Sequence, residues 1–236
     1  GTPAGDAIHV ALVSSELTVD ATAVLLGSTI DGNVIGDDTD PLLANAGSGI
    51  VVRATEDTSV QDLFISNNTV SGNAVNGIQF SRSDEARVLI VNPVTGQVRG
   101  VTILGNTVTA QQGNGIAISG SGGNATEVGV ELRENIVTQS VLNGIDILTA
   151  LDADLAVDLN ENLVDANLGH GVQLREQYNV FDTAARQVGG TWSRNTISNN
   201  IGNGVLGDAR MANLVIGLDG VDLISGASLG NTIVDN

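Results

Sequence analysis

Cysteine and lysine are both missing from this chain of 236 residues, and proline appears three times. Without cysteine there is no disulfide, no thiolate zinc site and no cysteine nucleophile, and the compartment is left open. Aromatic residues make up only 2%. The core therefore has to be built from Val, Ile, Leu and Ala. Many side chains of similar, medium size suit repeated layers better than one globular centre. The nine basic residues are all Arg and face 27 acidic ones, for a formal charge of −18. Such a surface repels phosphate backbones and excludes nucleic acid as a partner. It favours cations and keeps a chain soluble. No run approaches the roughly 18 continuous apolar residues of a spanning helix, so no membrane insertion is expected. Residues 1–30 lack a charged segment followed by an apolar run, the mark of a leader.

What the chain has in quantity is glycine, 30 of them, and asparagine at regular places. An Asn ends a short apolar strand at Asn33, Asn68, Asn106, Asn135, Asn162, Asn195 and Asn231, at intervals of 27 to 38 residues. Within the repeat the ruler is stricter. Eight residues after five consecutive markers comes Asn-Gly or His-Gly, beginning at Asn76, Asn114, Asn143, His170 and Asn203; the first repeat has Ser48-Gly49 after a longer loop. Apolar residues stand three before the marker (Ile65, Ile103, Leu132), two after it (Val70, Val108, Val137) and ten after it (Ile78, Ile116, Ile145). Between them polar and small residues alternate, which is the period of a strand.

These spacings predict three short strands per repeat. One turn of such chain buries almost nothing, whereas stacked turns bury each apolar column against its own copies. The coils climb one way, so the sheets are parallel. The marker Asn residues should fall above one another at a sharp bend, where Asn tolerates left-handed backbone. Stacked, their amides should bond each other in a ladder. The Gly after the second Asn is expected to supply positive φ before the third strand.

An apolar triplet, then "NNTVSGN", then "NGIQF" resembles the repeat of the right-handed, pectate-lyase-like parallel β-helix superfamily. The likeness covers about residues 28–206, with a partial coil after it. It implies an all-β fold: a right-handed, single-stranded parallel β-helix of about six to seven coils, the handedness coming from the resemblance and not from the spacing. A leucine-rich repeat does not fit, because Leu does not dominate and no helical period separates the strands. An all-antiparallel sandwich is the remaining alternative.

Three stretches leave the repeat: 81–99, 175–191 and 207–230. The first two read as hairpin arms, and all three leave at one corner of the coil. The domain organisation is then a strand-like segment or cap at 1–27, off the register of the repeat or belonging to an earlier coil, and a β-helix over 28–236. The chain opens on Gly1 and stops at "GNTIVDN", the start of another repeat, and so reads as a segment of a longer protein.

Enzymes of the resembled superfamily that cleave acidic polysaccharides work on or beside the outer face of the third-strand column. Lyases there need a carboxylate cluster for Ca²⁺ and a basic residue; hydrolases need paired Asp residues. The outward position of that column reads Val51, Gln79, Ala117, Asp146, Gln173 and Leu206. One carboxylate is not a pair. "GHG" at 169–171 matches a short motif of polygalacturonase-type hydrolases, but His170 also fills the slot that Asn holds in four neighbouring repeats. Asp146 and His170 are the catalytic candidates, and Gln173, Arg175 and Tyr178 those for binding substrate. For a metal, Asp37, Asp38 and Asp40 offer carboxylates in one turn, which suits Ca²⁺ as the one cofactor in view, although the D-x-D-x-D-G register and a distal Glu are missing. The competing reading is a solvated acidic loop.

The leading functional reading is a non-catalytic structural or adhesive segment of a large secreted or cell-surface protein. The alternative is a carbohydrate-active domain, a polysaccharide lyase or hydrolase, holding glycan on the outer face of the third-strand sheet. Expected partners are a polysaccharide or another surface protein. A β-helix with uncovered ends also presents unpaired backbone, which predicts end-to-end self-association.

Overall fold

The computed structural model describes residues 5–13, 24–37, 45–55, 58–83, 100–121, 128–150, 155–177, 188–207 and 231–236. Its strands form three long parallel sheets and one two-stranded pair. The first sheet stacks Thr29–Asp31, Leu63–Ser66, Val101–Leu104, Val128–Arg133 and Leu155–Asn160, ending on Val188–Gly189 and Trp192–Ser193. The second stacks Val34–Ile35, Thr69–Ser71, Thr107–Thr109, Ile136–Thr138, Leu163–Asp165, Thr196–Ser198 and Thr232–Val234. The third stacks Ile8–Val13, Ile50–Thr55, Ile78–Arg82, Ile116–Ser121, Ile145–Ala150, Val172–Gln177 and Val205–Gly207. The chain visits the sheets in turn, so the fold is a parallel β-helix consistent with the right-handed type.

Register follows the repeat. Ile103 faces Ile65 and Leu132; Val108 faces Val70 and Val137; Ile116 faces Ile78 and Ile145. All of these are fully buried. A buried Val or Ile stabilises by about 1.5–3 kcal/mol against chain entropy, and here each one packs on a copy of itself. Trp192 is the last described member of the first-sheet column and donates its indole N–H to the Val157 carbonyl at 3.1 Å. The strand Ile8–Val13 does not keep the marker spacing, yet it pairs in full register with Ile50–Thr55 as the third strand of one more coil. The arms at 84–99, 178–187 and 208–230 lie outside the described residues. Ser81–Arg82 and Arg175–Gln177 belong to third strands, and Val188–Gly189 to the first sheet.

The marker Asn residues do stack. Asn68, Asn106, Asn135 and Asn162 are each buried, and each Nδ2 donates to the next Oδ1 at 2.9–3.0 Å. Their backbone is not left-handed, contrary to expectation. Wherever it is described, the residue before the marker is: Gly32, Asn67, Gly105, Glu134, Glu161 and Arg194 have φ between 53° and 66°. The Asn is required for its amide. In Asn106 the Nδ2 also donates to Leu104 O at 3.2 Å, a carbonyl turned inward by the bend, and to Ile65 O at 2.8 Å in the preceding coil.

A second ladder, five residues further on, escapes the marker analysis because its members differ in type: Asn73, Gln111, Ser140, Asn167, Asn200 and Asn236. Again the preceding residue is left-handed, at φ 53–63° from Gly72 to Asp235. Asn45 joins this ladder from a longer loop, donating Nδ2 to Asn73 Oδ1 at 2.7 Å. Ser140 is its weak rung. It is fully buried, and its hydroxyl has no partner, because a Ser side chain stops short of its neighbours. Ser140→Asn supplies the missing amide and is expected to raise stability by about 1 kcal/mol in thermal or chemical unfolding. An unchanged or lowered melting point would show that this rung cannot take an amide.

The glycines of the Asn-Gly pairs also correct an expectation. Gly77, Gly115, Gly144, Gly171 and Gly204 do not have positive φ. They are needed for close approach: a Cβ at Gly144 would collide with Val164 Cγ1 and lie 2.8 Å from Gly171 O and from Asn167 Nδ2, all in the next coil.

Charge collects on the outer edge of the first sheet. Arg194 Nη1 donates to Glu161 Oε1 at 2.7 Å, and Arg133 reaches Glu161 at 3.4 Å and Glu134 at 3.0 Å. The hydrogen bond from Arg194 holds the Glu161 carboxyl below its usual range, aided by the charge of Arg133 and opposed by partial burial. Asp31 is lowered as well, by hydrogen bonds from Ser66 and Asn67. Both groups therefore bind protons less readily folded than unfolded. Their stabilising effect is complete above about pH 5 and is lost as the pH falls through the ordinary carboxylate range near 4 and below. A melting temperature followed from pH 7 to pH 3 should fall over that interval, with a shallower fall in Glu161→Gln.

Candidate functional site: the outer face of the third sheet

The third sheet alternates sides along each strand. Ile145 and Ile147 point in and are buried, which turns the residue between them out. Register places His9, Val51, Gln79, Ala117, Asp146, Gln173 and Leu206 in one outward column, as the spacing predicted. His9 is an addition to that column, with its Nδ1 3.1 Å from an Asp6 carboxylate oxygen.

Asp146 is almost fully buried, at 4% exposure, although it is on the outer side. Arg175, one coil on, explains how a carboxylate is held there. Its Nε donates to Asp146 Oδ1 at 2.8 Å, and its Nη2 donates to Asp146 Oδ2. This fork engages both oxygens of the carboxylate. The same hydrogen bonds raise the Arg175 pKa further, against partial desolvation. Asn143 donates Nδ2 to Gln173 Oε1 at 2.6 Å and reaches Asp146 Oδ1 at 3.4 Å. The structure thus brings Asp146, Gln173 and Arg175 together, with Asn143 as a member the sequence reading did not single out for the site. Tyr178 lies outside the described residues.

His170 belongs to a third ladder, at the turn that enters the third sheet. Asn114 Oδ1 accepts from Asn143 N at 3.0 Å, Asn143 Oδ1 from His170 N at 2.9 Å, and His170 Nδ1 from Asn203 N at 2.8 Å. The series begins earlier, with Asp6 Oδ1 accepting from Ser48 N at 2.8 Å. Its polarity is reversed. Here a side chain accepts from the following coil, whereas in the first two ladders the backbone donates to it. Because His170 Nδ1 is an acceptor, the neutral imidazole carries its proton on Nε2. An Asn carbonyl oxygen can fill the same role. His170→Asn is therefore expected to leave stability within about 0.5 kcal/mol of the parent, while His170→Ala, which strands the Asn203 N–H at a partly wet site, costs up to about 1 kcal/mol. Equilibrium unfolding of the two variants separates them.

Among the described residues no second carboxylate joins Asp146 in the outward column, so the acid–base pair of a glycoside hydrolase is not assembled there. Asp37 is half-buried and bonded, and Asp38 and Asp40 lie outside the described residues. No group of three His, Asp or Glu side chains converges among the described residues.

No family model and no curated protein matches the chain. Among solved structures, the catalytic domain of a GH87 alpha-1,3-glucanase in complex with tetrasaccharides is similar to it at 10% identity and a TM-score of 0.21. That likeness covers 90% of this chain and 63% of the other, so this chain spans less than two thirds of its length. At that TM-score it bears on neither fold nor function.

Proposed function

We propose that this chain is a non-catalytic structural segment, a rod that spaces and displays, within a secreted or cell-surface protein of the pectate-lyase-like type. One observation carries the reading: both titratable candidates on the third-sheet face are engaged in holding the coils together. Asp146 gives both oxygens to Arg175, and His170 gives Nδ1 to the backbone of Asn203. A general acid or base must have the reacting proton within its own reach, and these two are turned to neighbours in the wall. The three ladders supply the stiffness such a rod needs. The acidic surface suits an extracellular setting, where it keeps long assemblies apart.

The test is incubation with a panel of neutral and acidic polysaccharides, with and without Ca²⁺, followed by assay for new reducing ends and unsaturated products. No turnover is expected. Turnover that disappears in Asp146→Ala, with the fold retained, would replace this reading with the carbohydrate-active one.

A further inference from the structure

The rod is not equivalent on its three sides. Every large apolar side chain that is well exposed, among the described residues, belongs to the second sheet or to the turn that follows it; one of them, Ile233 of the final strand, is on the inward column. The centre of the second sheet's outer face is apolar, with Ile136 at 43% exposure and Leu163 beside it in register. The adjoining turn adds a ridge, Val141, Leu142, Leu168 and Ile201, with Ile201 at 75%. The coils of this turn are bonded to one another, Leu168 N to Ser140 O and Ile201 N to Asn167 O, both at 2.9 Å, so the backbone pairing of the sheet continues into the ridge. Around the apolar centre the same outward column carries Thr69, Thr107, Thr196 and Thr232. The seven strands hold a single charged side chain, Asp165, which is tied to Ser198 Oγ and Asn199 Nδ2 at 2.7 Å each. The first sheet and its bend, by contrast, carry Asp31, Glu131, Arg133, Glu134, Asp158, Glu161 and Arg194.

We infer that the outer face of the second sheet, with its turn ridge, is a lateral dimerisation surface for a second copy of this chain. An apolar centre with an uncharged polar rim is the anatomy of a protein–protein interface. Charge selects the partner. Two molecules of charge −18 repel, and this is the side from which they can meet with almost no charge between them. The face repeats along the rod, so a twofold axis through its centre sets Ile136 and Leu163 of one copy against those of the other, sheet on sheet about 10 Å apart. Seven strands spaced ~4.8 Å, and a width of about 20 Å from strand to ridge, offer about 600 Å² per partner. That is somewhat under the ~800 Å² of a standard interface and suits reversible association in the micromolar range. A face-to-face pair closes on itself, unlike end-to-end stacking, which continues into filaments.

The experiment is sedimentation velocity and equilibrium of the chain from 1 to several hundred micromolar, at low and high salt. A monomer–dimer equilibrium is expected, strengthened by salt because screening weakens the like-charge repulsion. Ile136→Lys and Leu168→Lys together should raise the dissociation constant at least about 30-fold, with circular dichroism and melting point retained because both sites are exposed. Glu134→Lys, on the charged side, should not weaken it. The absence of native cysteine allows a second readout: Ile136→Cys should be joined to the second copy by a short bifunctional maleimide, and Asn160→Cys should not, since sheets about 10 Å apart are too far for a direct disulfide. A monomer at every concentration, a dimer indifferent to the paired Lys variant, or filaments in place of dimers would each overturn the proposal.

Discussion

Asn135→Ala is expected to destabilise the rod by about 3–5 kcal/mol, which for a domain of this size lowers the melting temperature by roughly 10 °C. Asn135 is fully buried and takes part in four side-chain hydrogen bonds. Its Nδ2 donates to Ile103 O at 2.8 Å and to Asn162 Oδ1 at 3.0 Å, and its Oδ1 accepts from Asn106 N and Asn106 Nδ2, both at 3.0 Å. The most costly loss is at Asn106 N. It would be left as a buried donor with no water to replace the partner, and one such group costs about 1–3 kcal/mol. The remainder comes from the other broken bonds and the cavity. Asn135→Asp keeps the accepting oxygen but turns a second oxygen toward Ile103 O and Asn162 Oδ1, so its loss should be at least as large. Denaturant unfolding of both, beside Asn203→Ala at an exposed rung, is the measurement. A loss below about 1 kcal/mol for Asn135→Ala would mean the ladder is a consequence of stacking and not one of its causes.

Gly144→Ala is expected to cost about 3 kcal/mol or more, at or beyond the upper end for overpacking. An added methyl group has no direction in which to yield. It would meet Val164 of the core column, the Asn167 amide of the second ladder and the Gly171 carbonyl, all in the next coil. The coils cannot part locally, because Gly144 N is bonded to His170 O and Ile145 N to Gly171 O at 2.9 Å. Gly207→Ala is the control. Its added Cβ meets nothing within 4 Å, so the change should stay within about 0.5 kcal/mol. If Gly144→Ala is tolerated as well as Gly207→Ala, spacing between coils is softer than the hydrogen bonds imply.

Both variants test features that were half legible in the chain. The recurrence of Asn and Gly was plain, and the Asn amides do form the expected ladder, but the backbone roles assigned to both residues were mistaken. Asn was read as a left-handed residue, yet the left-handed position is one earlier and is filled by residues as unlike as Gly105, Glu134 and Arg194. Such variety hides the bend from any search for one residue type. Gly was read as a backbone hinge, but Gly144 is small because another coil presses on it. Dihedral preference is a local property that a sequence advertises, whereas crowding by Val164 and Gly171 depends on residues twenty or more positions away. The second ladder stayed hidden for a similar reason. Asn73, Gln111 and Ser140 share a place but not a side chain, and Asn45 reaches the same place from a loop of different length.

The candidate site followed the same division. Asp146, Gln173 and Arg175 could be set on one face by counting along strands, since side chains alternate with period two whatever the surroundings. Counting could not reveal that Arg175 grips both oxygens of Asp146, or that His170 faces its ring nitrogen to Asn203 N, because each bond crosses from one coil to the next.

By itself the sequence determined the architecture: three strands to a coil, the inward columns and the order of the coils follow from apolar residues recurring at set distances from an Asn. Beyond the marker ladder, only the tertiary structure decided what the polar residues do. Whether an amide, a carboxylate or an imidazole is free for chemistry or bound into the wall depends on which atoms the neighbouring coils place within about 3 Å of it. Stacking sets those distances, and the linear order of residues does not contain them.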